Sequence, residues 1–102
     1  MTLPTYDELT LPLLRLSADG EEHSIREAVE LLGDYLRLNV EQREALLPSG
    51  RRQFDDRVRW AATYLRKALL LQSTGRGTFQ ITQRGLWVLS QAPAQIDTAY
   101  LK

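Results

Sequence analysis

The sequence contains no cysteine, which excludes disulfides and thiolate metal sites. It contains one histidine, His23. Without a cysteine or a second histidine, a zinc site has no ligand set. A nucleophile–histidine–acid triad would need a Ser or Thr partner in a pocket that the sequence does not suggest. His23 reads instead as a helix-entry residue beside Ser24. No apolar run approaches the ~18–20 residues of a membrane span; the longest, Leu69-Leu70-Leu71 with its neighbours, fits a short buried element. The opening Met1-Thr2-Leu3-Pro4 lacks the basic region and apolar stretch of a signal peptide, so a cytoplasmic protein without membrane partners is expected. A phosphate loop of the G-x-x-x-x-G-K-[ST] kind and a G-x-G-x-x-G fingerprint are both missing, and Gly75-Arg76-Gly77 is too short to replace either. Asp55 and Asp56 are adjacent, so on a helix they point to different sides and do not share a metal. No cofactor and no catalytic residues are expected of this chain.

What is present suits one domain. The chain has 102 residues, 43% hydrophobic and 25% charged, enough apolar material for one core. Its formal net charge is zero, which at first disfavours a nucleic-acid partner. The distribution reverses that impression. Residues 1–50 hold ten acids and four bases, a net of −6, and residues 51–102 hold three acids and nine bases, a net of +6. A polyanion responds to the local field and not to the sum over the chain. Two solvated faces of opposite sign are the plain alternative.

Leu9, Leu13, Leu14 and Leu16 predict a first helix that stops before Asp19-Gly20. Proline is best tolerated in a first helical turn, so Pro12 predicts a start near Thr10, with Tyr6 to Leu9 as a preceding turn. Ser24-Ile25-Arg26-Glu27 is a capping-box pattern. Ile25, Ala28, Val29, Leu32 and Leu36 follow on one helical face. Asn39 to Gln42 caps a short helix through Leu46 or Leu47, and Pro48-Ser49-Gly50 breaks the chain. A long helix is predicted from about Gln53 to Ala68. Phe54, Val58, Ala61, Ala62 and Leu65 form its inner stripe. Arg52, Asp56, Arg59, Thr63 and Arg66 form another. Leu69 to Ser73 and Thr78 to Thr82 are β-prone runs around a glycine-flanked turn, a hairpin signal. Thr82 caps a last helix, Gln83 to about Ser90, with Leu86 and Leu89 inward. This order predicts a mainly α fold with a small β-hairpin, a winged helix-turn-helix, over residues 1–91. Residues 92–102 read as a C-terminal tail or linker.

A helix about 10–12 Å across matches the DNA major groove, and the hairpin behind it can reach the adjacent backbone. The candidate DNA-binding residues are Arg51, Arg52, Asp56, Arg59, Thr63, Arg66 and Arg76. Arginine binds guanine O6 and N7 with two hydrogen bonds, and threonine can touch a thymine methyl. Arg51 and Arg52 precede the long helix, where exposed N–H groups favour phosphate. Arg76 projects from the wing tip. A solvated helix face with weak internal ion pairs is the competing explanation for this set. Trp60 and Tyr64 read as core aromatics, Trp87 as a cover for the hairpin, and Arg57 as the partner of an acid such as Glu27 or Glu30.

Several stretches resemble the Mrr family of restriction endonucleases for modified DNA. They are Met1 to Leu9 (MTLPTYDEL), Leu13-Leu14, Asp19-Gly20 with His23-Ser24, and Leu46-Leu47-Pro48-Ser49-Gly50. Phe54, Arg57-Val58, Trp60-Ala61, Tyr64-Leu65 and Lys67-Ala68 fit as well. So do Thr78-Phe79 to Ile81-Thr82 with Gly85 and Val88-Leu89. The resemblance implies an N-terminal winged helix that binds double-stranded DNA and serves a separate metal-dependent nuclease domain of the PD-(D/E)xK type. That second domain has no counterpart after Pro93, so the nuclease partner would be supplied in cis or in trans; a homo-oligomer is also open. Ala68-Leu69-Leu70 stands where the family has a small residue and a glycine after the long helix. A transcriptional regulator and a protein-interaction winged helix remain the rival readings. The second would expose Trp60, Tyr64 and Trp87 as one patch.

Overall fold

A computed structural model describes residues 3–91. The expected tail, 92–102, lies outside the described residues. The element order is α1 (Tyr6–Leu16), β1 (His23–Ser24), α2 (Ile25–Tyr35), α3 (Val40–Glu44), α4 (Gln53–Lys67), β2 (Leu71–Gly75), β3 (Thr78–Ile81) and α5 (Gln83–Ser90). The strands form an antiparallel sheet in the order β1-β3-β2. This is a winged helix, mainly α with a small sheet.

α1 starts at Tyr6, a turn earlier than Pro12 suggested. Thr5 caps it, and the Glu8 carboxylate accepts from the Thr5 N–H at 3.1 Å. Pro12 therefore sits inside the helix and forfeits the bond to the Glu8 carbonyl. The burial of Leu9, Leu11, Leu13 and Leu14 on both sides of it outweighs that loss, because each buried leucine contributes about 1.5–3 kcal/mol. The first turn of α2 also differs from expectation. Ser24 accepts the Glu27 N–H at 3.0 Å, but the Glu27 carboxylate binds His23 Nδ1 at 2.9 Å and does not reach back to Ser24. α3 ends early: Ala45 turns extended, and Leu46 bridges to Arg52.

β1 is the strand the sequence concealed, since two residues show no period. His23 lies opposite Phe79 and Ser24 opposite Thr78. The Ile25 N–H donates to the Gly77 carbonyl at 2.9 Å, tying the wing to the start of α2. β2 begins two residues later than the β-prone run because Leu69 and Leu70 close the end of α4. The Leu70 N–H returns to the Leu65 carbonyl and the Leu69 N–H to the Arg66 carbonyl, a Schellman closure. Leu69 thereby takes φ +67°, the left-handed conformation that a glycine would adopt without strain. Leu69 lies within Ala68-Leu69-Leu70, the stretch where the family resemblance expected a small residue and a glycine.

The core gathers Leu9, Leu13, Leu14, Phe54, Val58, Leu65, Leu71 and Phe79 between α1, α4 and the sheet. α5 packs through Gly85, Val88 and the half-buried Leu89. Leu86, expected inward, is 44% exposed, and Trp87, expected over the hairpin, is 62% exposed. Gly85 explains the rotation. A Cβ there would press on the Leu70 carbonyl and stand 2.6 Å from Ile81 Cγ1, so this bare backbone is the surface that faces the sheet. Thr82 completes the junction, accepting from the Gly85 N–H at 3.0 Å and donating to the Leu69 carbonyl at 2.6 Å.

Candidate nucleic-acid interface

α4 divides its sequence by direction. Phe54, Val58, Ala61, Ala62 and Leu65 are buried, and the opposite face opens on a groove of about 560 Å³ between the helix and the wing. Arg51, Asp56, Arg59, Trp60, Thr63, Arg66 and Lys67 line it from the helix side. Ser73, Gly75 and Thr78 line it from the wing, with Ile25 at its edge. Four cations and one carboxylate therefore share one concave surface.

The loop before α4 positions Arg51. The Leu47 N–H donates to the Arg51 carbonyl at 2.8 Å and the Gln53 N–H to Ala45 at 2.8 Å. Gly50 makes the turn at φ +87°. Arg51 Nη1 then stands 3.7 Å from Asp56 Oδ1, in place of the Arg52–Asp56 and Asp56–Arg59 pairs that helical spacing allowed. Further along the face, Thr63 donates to the Arg59 carbonyl at 3.0 Å and accepts from Arg66 Nη2 at 3.3 Å. Arg59, Lys67 and Arg76 pair with no carboxylate among the described residues.

Five of the seven candidate residues thus come together: Arg51, Asp56, Arg59, Thr63 and Arg66. Arg76 is exposed at the wing tip, between two glycines that border or line the groove. Of those two glycines, Gly77 supplies the positive φ, +74°. Arg52 is separate. It faces a different hollow with Val29, Glu30, Val40 and Asp55. Lys67 and Trp60 were missed as site residues. Lys67 follows Thr63 by four, so extending the polar stripe one turn would have found it. Trp60 follows Asp56 by four, but its apolar character argued for the core. It is 50% exposed.

Two further arginines take internal roles. Arg57 Nη1 donates to the carbonyls of Leu3 and Pro4, both at 2.9 Å. Its partners are backbone oxygens and not Glu27 or Glu30, because α4 packs that edge against the start of α1. Arg43 binds Asp34 at 3.0 Å and the Leu38 carbonyl at 2.9 Å, passing over Gly33, where a Cβ would meet its guanidinium at 3.1 Å.

His23 is 8% exposed and holds two carboxylates. Its Nε2 is 2.9 Å from Asp19 and its Nδ1 is 2.9 Å from Glu27. Burial would lower its pKa, but the hydrogen bonds to Asp19 and Glu27 outweigh burial and raise it above the ordinary 6.5. Asp19 moves the other way, below 3.8, chiefly through its bond to His23. The imidazole is thus a structural clamp at the root of the sheet.

The Mrr N-terminal domain profile matches residues 6–91. The chain belongs to the Mrr N-terminal domain family. Its type IV methyl-directed restriction enzyme relative EcoKMrr, from Escherichia coli (strain K12), is 38% identical over 92 residues. That match covers 88% of this chain and 30% of the Mrr enzyme, so the chain spans less than a third of its relative. No solved structure matches this Mrr-type domain. Among the described residues no helix is long and apolar enough to cross a membrane.

Proposed function

We propose that this domain binds double-stranded DNA, with α4 in the major groove and the Arg76 wing on the neighbouring backbone. In this reading residues 1–91 form the binding module of an Mrr-like restriction system. The module brings a nuclease domain, in cis or in trans, to modified DNA. The observation that carries the reading is the groove itself. Arg51, Arg59, Arg66 and Lys67 converge on it, and among the described residues only Asp56 opposes them. Arg59 and Arg66 supply the bidentate donors that guanine accepts, and Asp56 can accept from cytosine N4. Thr63 and Arg51 suit phosphate or base edges, and Arg76 suits phosphate or the minor groove. Arg52 contacts the flanking backbone in this arrangement and not the bases that α4 reads.

A protein-docking role for the aromatic side chains has less support. Tyr64 stacks on Tyr6 at 4.8 Å, and Trp60 stands among the cations. The test is an NMR titration of the domain with short duplexes, methylated and unmethylated. Shifts confined to α4, the wing and the loop before α4 are expected. Shifts centred on α2, or none at low salt, would sink the reading.

A further inference from the structure

We propose that Trp60 is a specificity-determining residue that reads the C5-methyl group of a pyrimidine in the major groove. The proposal rests on the DNA-binding reading above and adds the chemistry of recognition. Trp60 is 50% exposed in a groove whose other large apolar lining residues are the buried Phe79 and Ile25 at its edge. Leaving half an indole in water forgoes apolar burial, and here a packed neighbour holds the ring outward. The structure shows the support. The Trp60 ring lies 6.2 Å from Tyr64 at a 39° tilt. Tyr64 in turn stacks on Tyr6 at 4.8 Å and 9°. Arg57 fixes the near end of this ladder through the Leu3 and Pro4 carbonyls, just before Tyr6. The indole is therefore the outermost of three rings, aimed by α1 as well as by its own helix.

The groove face of α4 is rich in donors suited to guanine and phosphate. Trp60 is its one large apolar surface among the described residues. The major groove offers one apolar group in return, the methyl at C5 of thymine or 5-methylcytosine. The arginine heads are drawn to hydrogen-bond acceptors and the Thr63 hydroxyl is held by the Arg59 carbonyl and Arg66, whereas a fixed indole presents a broad apolar face to that methyl. Burial of one such group corresponds to about fourfold in affinity.

The experiment uses the full chain carrying Trp87→Phe, which leaves Trp60 as its single indole. Short random-sequence duplexes are prepared in matched forms, with thymine or uracil and with 5-methylcytosine or cytosine. Anisotropy gives the affinity ratio within each pair, and tryptophan emission reports on Trp60. The expected result is tighter binding of the methyl-bearing form, about fourfold per methyl that the indole covers, with a change in Trp60 emission. Trp60→Ala, checked for an unchanged melting temperature, should bring the ratio to one, and Trp60→Phe should leave an intermediate ratio. A ratio of one in the unmutated groove, or a ratio that survives Trp60→Ala, overturns the methyl reading while DNA binding stands. If the chain binds no duplex at low salt, the DNA reading fails and this proposal fails with it.

Discussion

Two groups of arginines in this fold have the same chemistry and opposite fates. Arg43 and Arg57 are fastened internally. One closes the α2–α3 corner on Asp34 and Leu38, and the other staples α4 to the carbonyls before α1. Arg59 and Arg76 find no carboxylate among the described residues, and Arg66 meets only a threonine hydroxyl. Arg57 and Arg59 are two residues apart on one helix, and that offset swings them to different sides. The lesson is that a basic stretch is not uniformly a binding surface. Some of its charge holds the scaffold, and only the remainder is free to meet a polyanion.

Charge reversal of the outward group breaks the comparison most strongly. Arg59→Glu with Arg66→Glu and Arg76→Glu is expected to lower duplex affinity by on the order of a hundredfold or more. The salt slope should flatten by roughly 0.9 for each phosphate that is no longer neutralised. Anisotropy over a salt series measures both, and the melting temperature should hold. If affinity persists, the groove is not the binding face.

The inward group should answer in stability instead. Arg57→Ala removes charge-assisted bonds to two carbonyls and is expected to destabilise the fold by about 2 kcal/mol, read by urea unfolding. Its salt slope for DNA should match that of the parent. An equal loss of stability from Arg59→Ala would erase the distinction between the two groups.

Leu69→Gly tests the end of α4 without touching either group. The left-handed conformation costs a non-glycine residue roughly 1–2 kcal/mol, and Leu69 is 63% exposed, so its removal sacrifices little burial. Glycine's greater freedom in the unfolded chain offsets part of the gain. A net stabilisation of about 0.5 kcal/mol is expected from denaturant midpoints, with no change in DNA affinity.

The smallest effect belongs to the clamp of His23. Its folded pKa lies above the ordinary 6.5, so its charged form stabilises the domain fully below that value. The contribution falls away as pH rises through the folded pKa. Asp19, held below 3.8, contributes above that value and loses its contribution as pH drops through its own folded pKa. Thermal melts between about pH 6 and pH 8.5 should show a shallow decline that His23→Gln removes. A parallel decline in that variant would mean that other groups set the slope.

The chain's own pattern announced most of the elements. Apolar spacing located α2, α4 and α5, the Asn39–Gln42 cap located α3, and two glycines located the wing. These signals are local, carried within one turn or one hairpin. The inner stripe of α4 was also legible, and with it the candidate face opposite. Other features were not. β1 exists because Phe79 and Thr78 offer it a ladder, and two residues cannot advertise a partner more than fifty positions away. The start of α1 depended on how much leucine burial could offset Pro12, which is a property of the assembled core.

The placement of individual side chains was likewise decided only in three dimensions. Periodicity assigns a residue to a face of its own helix, but the neighbouring element determines whether that face meets protein or water. Tyr64 met Tyr6 and became part of the interior edge, while Trp60, one turn away, leaned on Tyr64 and kept half its surface in water. By itself the sequence determined that a basic helix and a ribbon would stand together. Only the packing of α1, the loop before α4 and the wing around that helix decided which of its charges remained uncommitted, because those interactions join residues far apart in the chain.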